Sequence, residues 1–444
     1  MFMQIHMLQS MPPGNLNRDD TGQPKKCLFG GVTRGRISSQ CIKRSIRHSM
    51  DFKNGYGDTL ACRTTYLPKM IADAILSMEE DFPAGELENI QKAIAKKFVS
   101  EKKEADAESA DEKQEKAESK TQADESSQQT GQLVFFPPPF AHSIAGLVVN
   151  FRKEEPEAYK AWIGGEKIKA KGKGKNAKKE DGKEEDADQT KGIKKAIEDL
   201  NRHIIEKSRE LTIDIALFGR MTTSDLVINV EAACQVAHAI STHETLIETD
   251  YFTAMDDKKE AFATSQTEKA GAAFLGSGET QTFFNAAVYY KYFNVDLDAL
   301  KKHLGCPDEE LIKSVSVFLQ AAIFSNPTGK QNAFAAHGLP ELVLVEMSKT
   351  KRPISYANAF LQPVTGSNLM AASATALKKY AASMGQAYAP RDTQRILLAK
   401  GFAEEALSEN SGPALFLNAM LKDHPDDLAE AVSGILEKSR QQGD

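Results

Sequence analysis

The chain lacks most of the features that would narrow its function at a glance. No apolar stretch reaches the roughly 18 residues needed to cross a bilayer, and the N-terminus has no basic-then-apolar secretion pattern. The expectation is a cytoplasmic protein with no membrane partner. Its five cysteines, Cys27, Cys41, Cys62, Cys234 and Cys306, form no CxxC pair and no cluster with histidine at zinc-ligand spacing. Neither a disulfide framework nor a metal knuckle is therefore expected. There is no internal repeat, so any periodicity in function must come from assembling copies of the chain. Nor is positive charge in excess: 56 Lys and Arg stand against 62 Asp and Glu, a formal net charge of -6. That balance gives no global electrostatic reason to bind nucleic acid, and any such surface has to be local.

What is present is enough for a core. A length of 444 residues with 41% hydrophobic content accommodates one large domain or two to three smaller ones. Two segments, 101–130 and 166–192, are low in complexity and too polar to order themselves by burial. The first reads as an extension of the helix that begins near Ile71, and the Gly-Lys run 169–175 as a flexible loop, both inside a helical insertion. Met3, Ile5 and Met7 alternate with Gln4 and His6, which predicts a half-buried first strand. Asn229 is a plausible N-cap for a helix carrying Ala232, Val236, Ala239 and Ile240. Strands are predicted over Thr282–Phe293 and Leu342–Val345, and helix again from about Ala371. Interleaved strands and helices indicate an α+β fold.

The most informative stretch is Lys25–Arg47, which holds seven cations, Lys25, Lys26, Arg34, Arg36, Lys43, Arg44 and Arg47, and no acid. Ser38 and Ser39 suit an N-cap, after which Gln40, Lys43, Arg44 and Arg47 share one helical face and Ile42 and Ile46 take the other. Unpaired amides at a helix N-terminus, followed by cations one and two turns on, make a rail for successive phosphates. The preceding loop, Phe29–Arg36, adds glycines that let the main chain approach a ligand and arginines that fork onto phosphate.

At these residues the chain resembles a known family. Leu16-Asn17-Arg18-Asp19-Asp20, Phe29-Gly30-Gly31 and Arg36–Arg44 resemble the opening of the CasC family, the backbone subunit of Cascade in type I-E CRISPR systems. Further strings follow in the same order: Asp214–Met221, Ala237–His243, Asp250–Asp257, Phe334-Ala335-Ala336 and Ala357–Phe360. The resemblance implies an RRM-like (ferredoxin-like) palm, a helical fingers insertion and a thumb loop. Palm segments would be 1–57, 211–242 and 281–444, the last with C-terminal helices; fingers 58–210; thumb 243–280. It also implies the partners: a CRISPR guide RNA, further copies of the chain, other Cascade subunits, and target DNA reached through the guide.

Residue by residue, the resemblance carries guide contacts to Lys25, Ser38, Gln40, Lys43, Arg44 and Arg47, and a wedge against bases to Met221. Tyr251, Phe252, Met255 and Leu275 would be the thumb residues that insert where the guide kinks. Stacking suits a carrier of arbitrary guides because it is worth about 1–3 kcal/mol per base and ignores sequence. Position 251 is Tyr where Trp or another aromatic is expected, which preserves stacking.

No enzyme activity and no cofactor are expected. The serious alternative is a metal-dependent RNA-cleaving backbone subunit, as in type III complexes, with Asp19 and Asp20 as metal ligands; the same pair beside Arg18 also suits a turn cap. Gly329-Lys330-Gln331 lacks the hydroxyl and the upstream glycine of a phosphate loop, which leaves a surface turn or a contact with RNA.

Overall fold

The computed structural model describes residues 1–98, 129–130, 133–164, 183–251, 281–409 and 419–441. Two compact units emerge: Met1–Gly55 joins Ala233–Asp444, and Tyr56–Ala232 stands as the second. The chain opens with β1 (Phe2–Gly14), β2 (Lys26–Phe29), β3 (Val32–Ile37), α1 (Ser39–Arg47) and α2 (Met50–Tyr56).

The second unit follows. It contains β4 (Cys62–Thr64), α3 (Leu67–Met78), α4 (Ala84–Lys97), β5 (Val134–Phe136), α5 (Pro139–Glu154), α6 (Pro156–Gly164), α7 (Lys183–Lys207) and α8 (Ile213–Phe218). Ile71, Ile90, Ile144, Val148, Trp162 and Leu200 meet in its core. Helix α7 begins inside the second low-complexity segment. Its later residues Ile193, Ile197, Leu200 and Ile204 recur at helical spacing and pack on that core, and the highly charged start extends the same helix. Segment 101–128 and the Gly-Lys run 169–175 lie outside the described residues. Residues 211–232, grouped with the palm on the resemblance, fall in this second unit.

The first unit resumes with β6 (Cys234–Val236), β7 (Ala239–Ser241), β8 (Glu248–Tyr251) and the long β9 (Gln281–Asp296). Then come α9 (Leu297–Leu304), α10 (Asp308–Phe324), α11 (Gln331–Phe334) and β10 (Pro340–Ser348). The last elements are α12 (Leu369–Tyr388), β11 (Gln394–Ala399), α13 (Gly401–Glu409), β12 (Met420–Lys422) and α14 (Pro425–Gln441). All its strands join one sheet in the order β12-β11-β10-β1-β9-β7-β3-β2, with β6 and β8 also paired to β9. Only β11 and β12 run parallel among the described pairs. This is a mixed α+β fold built on a large mixed sheet.

Three local expectations are corrected. The segment after Asn229 is not a helix: Cys234–Val236 and Ala239–Ser241 are strands that pair with β9. Val236 and Ile240 mimic helical spacing, but the long β9 offers a ladder on which these short pieces satisfy their backbone groups. Nor is β1 half-buried. Met3, Ile5 and Met7 are fully enclosed, and so are His6 on the opposite face and Gln9 further along the strand. The polar side chains are tolerated because each finds partners. Gln4 Oε1 accepts from Tyr292 Oη and the Ile354 amide, each at 2.7 Å. His6 Nδ1 meets Tyr290 Oη at 2.8 Å, and Gln9 Nε2 donates to Asn326 Oδ1 at 2.8 Å. One face of the sheet packs Leu8, Tyr290 and Leu344 with Leu377 of α12, whereas on the other Phe293 meets Phe318 of α10 edge-on at 6.5 Å.

The Phe29–Arg36 stretch, expected to be a ligand loop, is a β-hairpin. Gly30 and Gly31 have φ of 63° and 83°, the left-handed pair that a tight two-residue turn between β2 and β3 requires. A Cβ on Gly30 would collide with the Leu361 carbonyl. Arg34 is wholly enclosed: its guanidinium donates to the carbonyls of Phe29 (3.1 Å), Ser241 (3.1 Å) and Phe360 (2.7 Å). It is a structural tie and not a phosphate fork. Arg34→Met strands three carbonyls, so urea unfolding of the full chain should show a loss of about 3 kcal/mol or more. An unchanged midpoint would mean that water replaces the guanidinium without penalty.

Candidate nucleic-acid interface

The start of α1 is set by Asn17. Its side-chain Oδ1 accepts the Ser38 amide at 2.8 Å and its carbonyl accepts the Lys25 amide at 2.8 Å, while the Lys25 carbonyl accepts the Arg36 amide at 2.8 Å. Lys25, at the base of the hairpin, is thereby fixed beside the helix N-terminus. Ser38 adopts the extended backbone of an N-cap, and its Oγ accepts from the Cys41 amide at 3.4 Å. Removal of a serine cap typically costs about 1 kcal/mol.

From that cap the helix separates its residues as the spacing predicts. Ile42 and Ile46 are buried, Gln40 and Arg44 are exposed, and Lys43 and Arg47 are half-buried, as is Lys25. No acid occupies the first turn, and Arg44 and Arg47 lie in the last. The cations belong to one electrostatic neighbourhood. Burial pushes the Cys41 thiol up, while Lys25, Arg44 and Lys291 act on it in the opposite sense. On the adjoining strand β3, Arg36 Nη1 lies 3.0 Å from His238 Nδ1. Partial burial, with Arg36 and Lys25 nearby, holds His238 below the usual imidazole range.

The other expected site residues belong to other elements or lie outside the described residues. Met221 belongs to the second unit, where it is 93% exposed. Its neighbour Arg220 points inward and donates to the carbonyls of Ile228 (3.0 Å) and Phe135 (3.2 Å); burial pushes that guanidinium down to about 10. Gly219 ends α8 with φ of 78°, so the Phe-Gly-Arg-Met string anchors one side chain and presents the next. Tyr251 closes β8, its backbone paired with Gln281 of β9. Phe252, Met255 and Leu275 lie outside the described residues.

Asp19 takes the turn-capping role. Its Oδ1 accepts from the Thr21 amide (3.0 Å), the Thr21 hydroxyl (2.7 Å) and the Gln23 amide (3.0 Å). Among the described residues no group of three or more His, Cys, Asp or Glu is placed to hold a metal ion. At the Gly329–Gln331 turn, Lys330 is exposed in a left-handed conformation (φ 52°), and Gly329 packs so tightly on the carbonyls of Asn15 and Leu16 that a Cβ would clash. His243 is buried and His238 exposed, in packing and surface settings respectively.

Three contributors escaped the sequence reading: Asn17 as the clamp, Arg34 as a tie, and Lys291. Only Lys291 left a trace, as a lone cation inside the aromatic run Tyr289-Tyr290-Lys291-Tyr292-Phe293.

Comparison with known proteins supplies the family. No curated protein matches the chain. Among solved structures, one chain of a "CRISPR RNA-guided surveillance complex, pre-nicking" is 27% identical with a TM-score of 0.68, covering 98% of this chain and 100% of its own length. A chain of another "CRISPR RNA-guided surveillance complex" is 23% identical with a TM-score of 0.60 and the same coverage, a likeness of fold. The family model described as CT1975-like protein matches residues 3–421, and the chain belongs to that family, the CasC group that its residue strings resemble.

Proposed function

We propose that the chain is the guide-RNA-binding backbone subunit of a type I-E CRISPR Cascade, that copies polymerise along the guide spacer, and that the chain holds the guide for pairing with target DNA without cutting it. The observation that carries this reading is the opening of α1: a capped, acid-free helix N-terminus with Lys25 beside it and Gln40, Lys43, Arg44 and Arg47 along one face. Family membership and the full-length likeness to a surveillance-complex chain supply the context. Phosphates bound to this rail would be read as charge and not as sequence, which a carrier of arbitrary guides needs.

In this reading the first unit is an RRM-like palm, with β1 flanked antiparallel by β9 and β10, and the second is the fingers. The thumb spans 243–280, and β8 pairing with the start of β9 ties residues 251 and 281 at its base. Tyr251, Phe252, Met255, Leu275 and the exposed Met221 are assigned to the bases. The RNA-cleaving alternative is disfavoured, since Asp19 Oδ1 is committed to three hydrogen bonds of a turn and no further metal ligands gather beside it among the described residues.

Two experiments test the rail. Binding of labelled single-stranded RNAs of unrelated sequence is measured across a salt series for the natural chain and for Lys43→Ala/Arg44→Ala/Arg47→Ala. Three lost phosphate contacts should flatten the log–log salt slope by about 2, at roughly 0.7 per contact on a single strand. An unchanged slope, or RNA cleavage that disappears in Asp19→Ala, defeats the proposal.

The second experiment uses Ser38→Asp. A carboxylate caps the helix as well as serine does, so unfolding stability should stay within about 1 kcal/mol. RNA affinity should nevertheless fall by about tenfold or more, because the carboxylate occupies the phosphate position. Undiminished affinity would place the phosphates elsewhere.

A further inference from the structure

Lys291 lies in the middle of β9, opposite Met7 of β1, with 1% of its surface exposed. Alternation along the strand puts it on the same face as Phe293, which packs against Phe318, and Tyr289, whose hydroxyl accepts from Asn285 Nδ2 at 3.1 Å. It therefore stands where the apolar core under α10 gives way to polar groups. Its ammonium has no hydrogen bond and no carboxylate partner among the described residues. The group acting on it is the Cys41 thiol, in the first turn of α1, and burial pushes the ammonium down to about 8.

The neighbours of Lys291 on that face bracket the approach to α1: a Cβ on Gly35, three residues before the Ser38 cap, would strike Tyr289 Oη, and Phe293 pairs with Val236 of β6. Lys25 and Arg44 act on the same Cys41 thiol. No acid is among the groups acting there. A buried ammonium without a counter-charge, beside further cations, is unfavourable, and a methionine or leucine would fill this position in the sheet more cheaply. The arrangement becomes favourable when an anion enters. Ser38 Oγ takes the Cys41 amide and the Ser38 carbonyl takes the Ile42 amide, while the amides of Ser39 and Gln40 remain without partners among the described residues.

We propose that Lys291 is the buried floor of a phosphate site at the start of α1, its ammonium pairing with a phosphodiester oxygen that Lys25 and the Ser39 and Gln40 amides hold from the outer side. This rests on the RNA-binding reading and adds to it a cation from the sheet beneath the helix. The contribution differs in kind from that of the surface cations. An ammonium this enclosed interacts strongly with one oxygen and is weakly screened by salt, so it fixes the depth at which the backbone sits while the exposed residues set overall affinity.

The test uses the full chain with Lys291→Met and a labelled unstructured RNA at fixed salt, together with thermal melting with and without RNA. Without RNA, the variant should melt at the same temperature as the natural chain or higher. Its RNA affinity should fall by about tenfold or more, the worth of one charge-assisted hydrogen bond, with a smaller RNA-induced rise in melting temperature. Undiminished affinity in Lys291→Met, with Lys43→Ala/Arg44→Ala/Arg47→Ala weakened as expected, overturns this inference alone. Absence of RNA binding by the natural chain overturns the RNA reading as well. Should Lys291→Met fail to fold, the natural chain labelled with 13C at lysine Cε decides the matter: RNA should raise the pH at which Lys291 titrates, and an unmoved titration rejects the contact.

Discussion

Two hydrogen bonds accepted by Asn17 fix the geometry at the start of α1. With one residue accepting both the Ser38 and the Lys25 amides, the first turn of α1 and the base of the β2–β3 hairpin have a common origin. Arg34 secures the far end of that hairpin through three carbonyls, and the Gly30-Gly31 turn is pressed against Leu361. The cations of the rail can be long and adaptable because the backbone that carries them is held from both ends. A helix N-terminus binds an anion well when its amides are aimed before the ligand arrives, and Asn17 and Ser38 do the aiming.

Much of this was legible in the sequence, and for a physical reason. The α1 helix announces itself through a cap residue, a 3.6-residue alternation of isoleucine and cation, and the absence of acid across Lys25–Arg47. Local signals of that kind need no knowledge of what lies across the fold. Residues whose role is set by distant partners were misread. Arg34 resembled its neighbours until Phe360 and Ser241 arrived to bury it. Gln4 and His6 looked like a solvent face because alternation records polarity, and their partners Tyr292 and Tyr290 lie far along the chain. The strands at Cys234–Val236 and Ala239–Ser241 were hidden for the same reason, since a pairing edge on β9 outweighs a short helical pattern.

Charge is distributed so that a net-acidic chain can still meet a polyanion. The formal charge of -6 is an average over a long molecule, whereas at physiological ionic strength a phosphate senses charges within about 8 Å. The stretch that carries α1, Lys25–Arg47, holds seven cations and no acid. An overall acidic balance also discourages copies from collecting nucleic acid at arbitrary points on their surfaces.

The central position of β1 bears on how the polypeptide reaches its native state. The second strand to be synthesised on either side of β1 is supplied only by residues 281–296 and 340–348. On the ribosome, β1 must therefore wait, its apolar residues unpaired, while the whole helical unit of Tyr56–Ala232 emerges and packs on its own nearby contacts. Long-range pairing of this kind slows folding and prolongs the exposure of sticky strands. Both partners of β1 are made after the segment Tyr56–Ala232, so the sheet can close around β1 only once most of the chain has been synthesised.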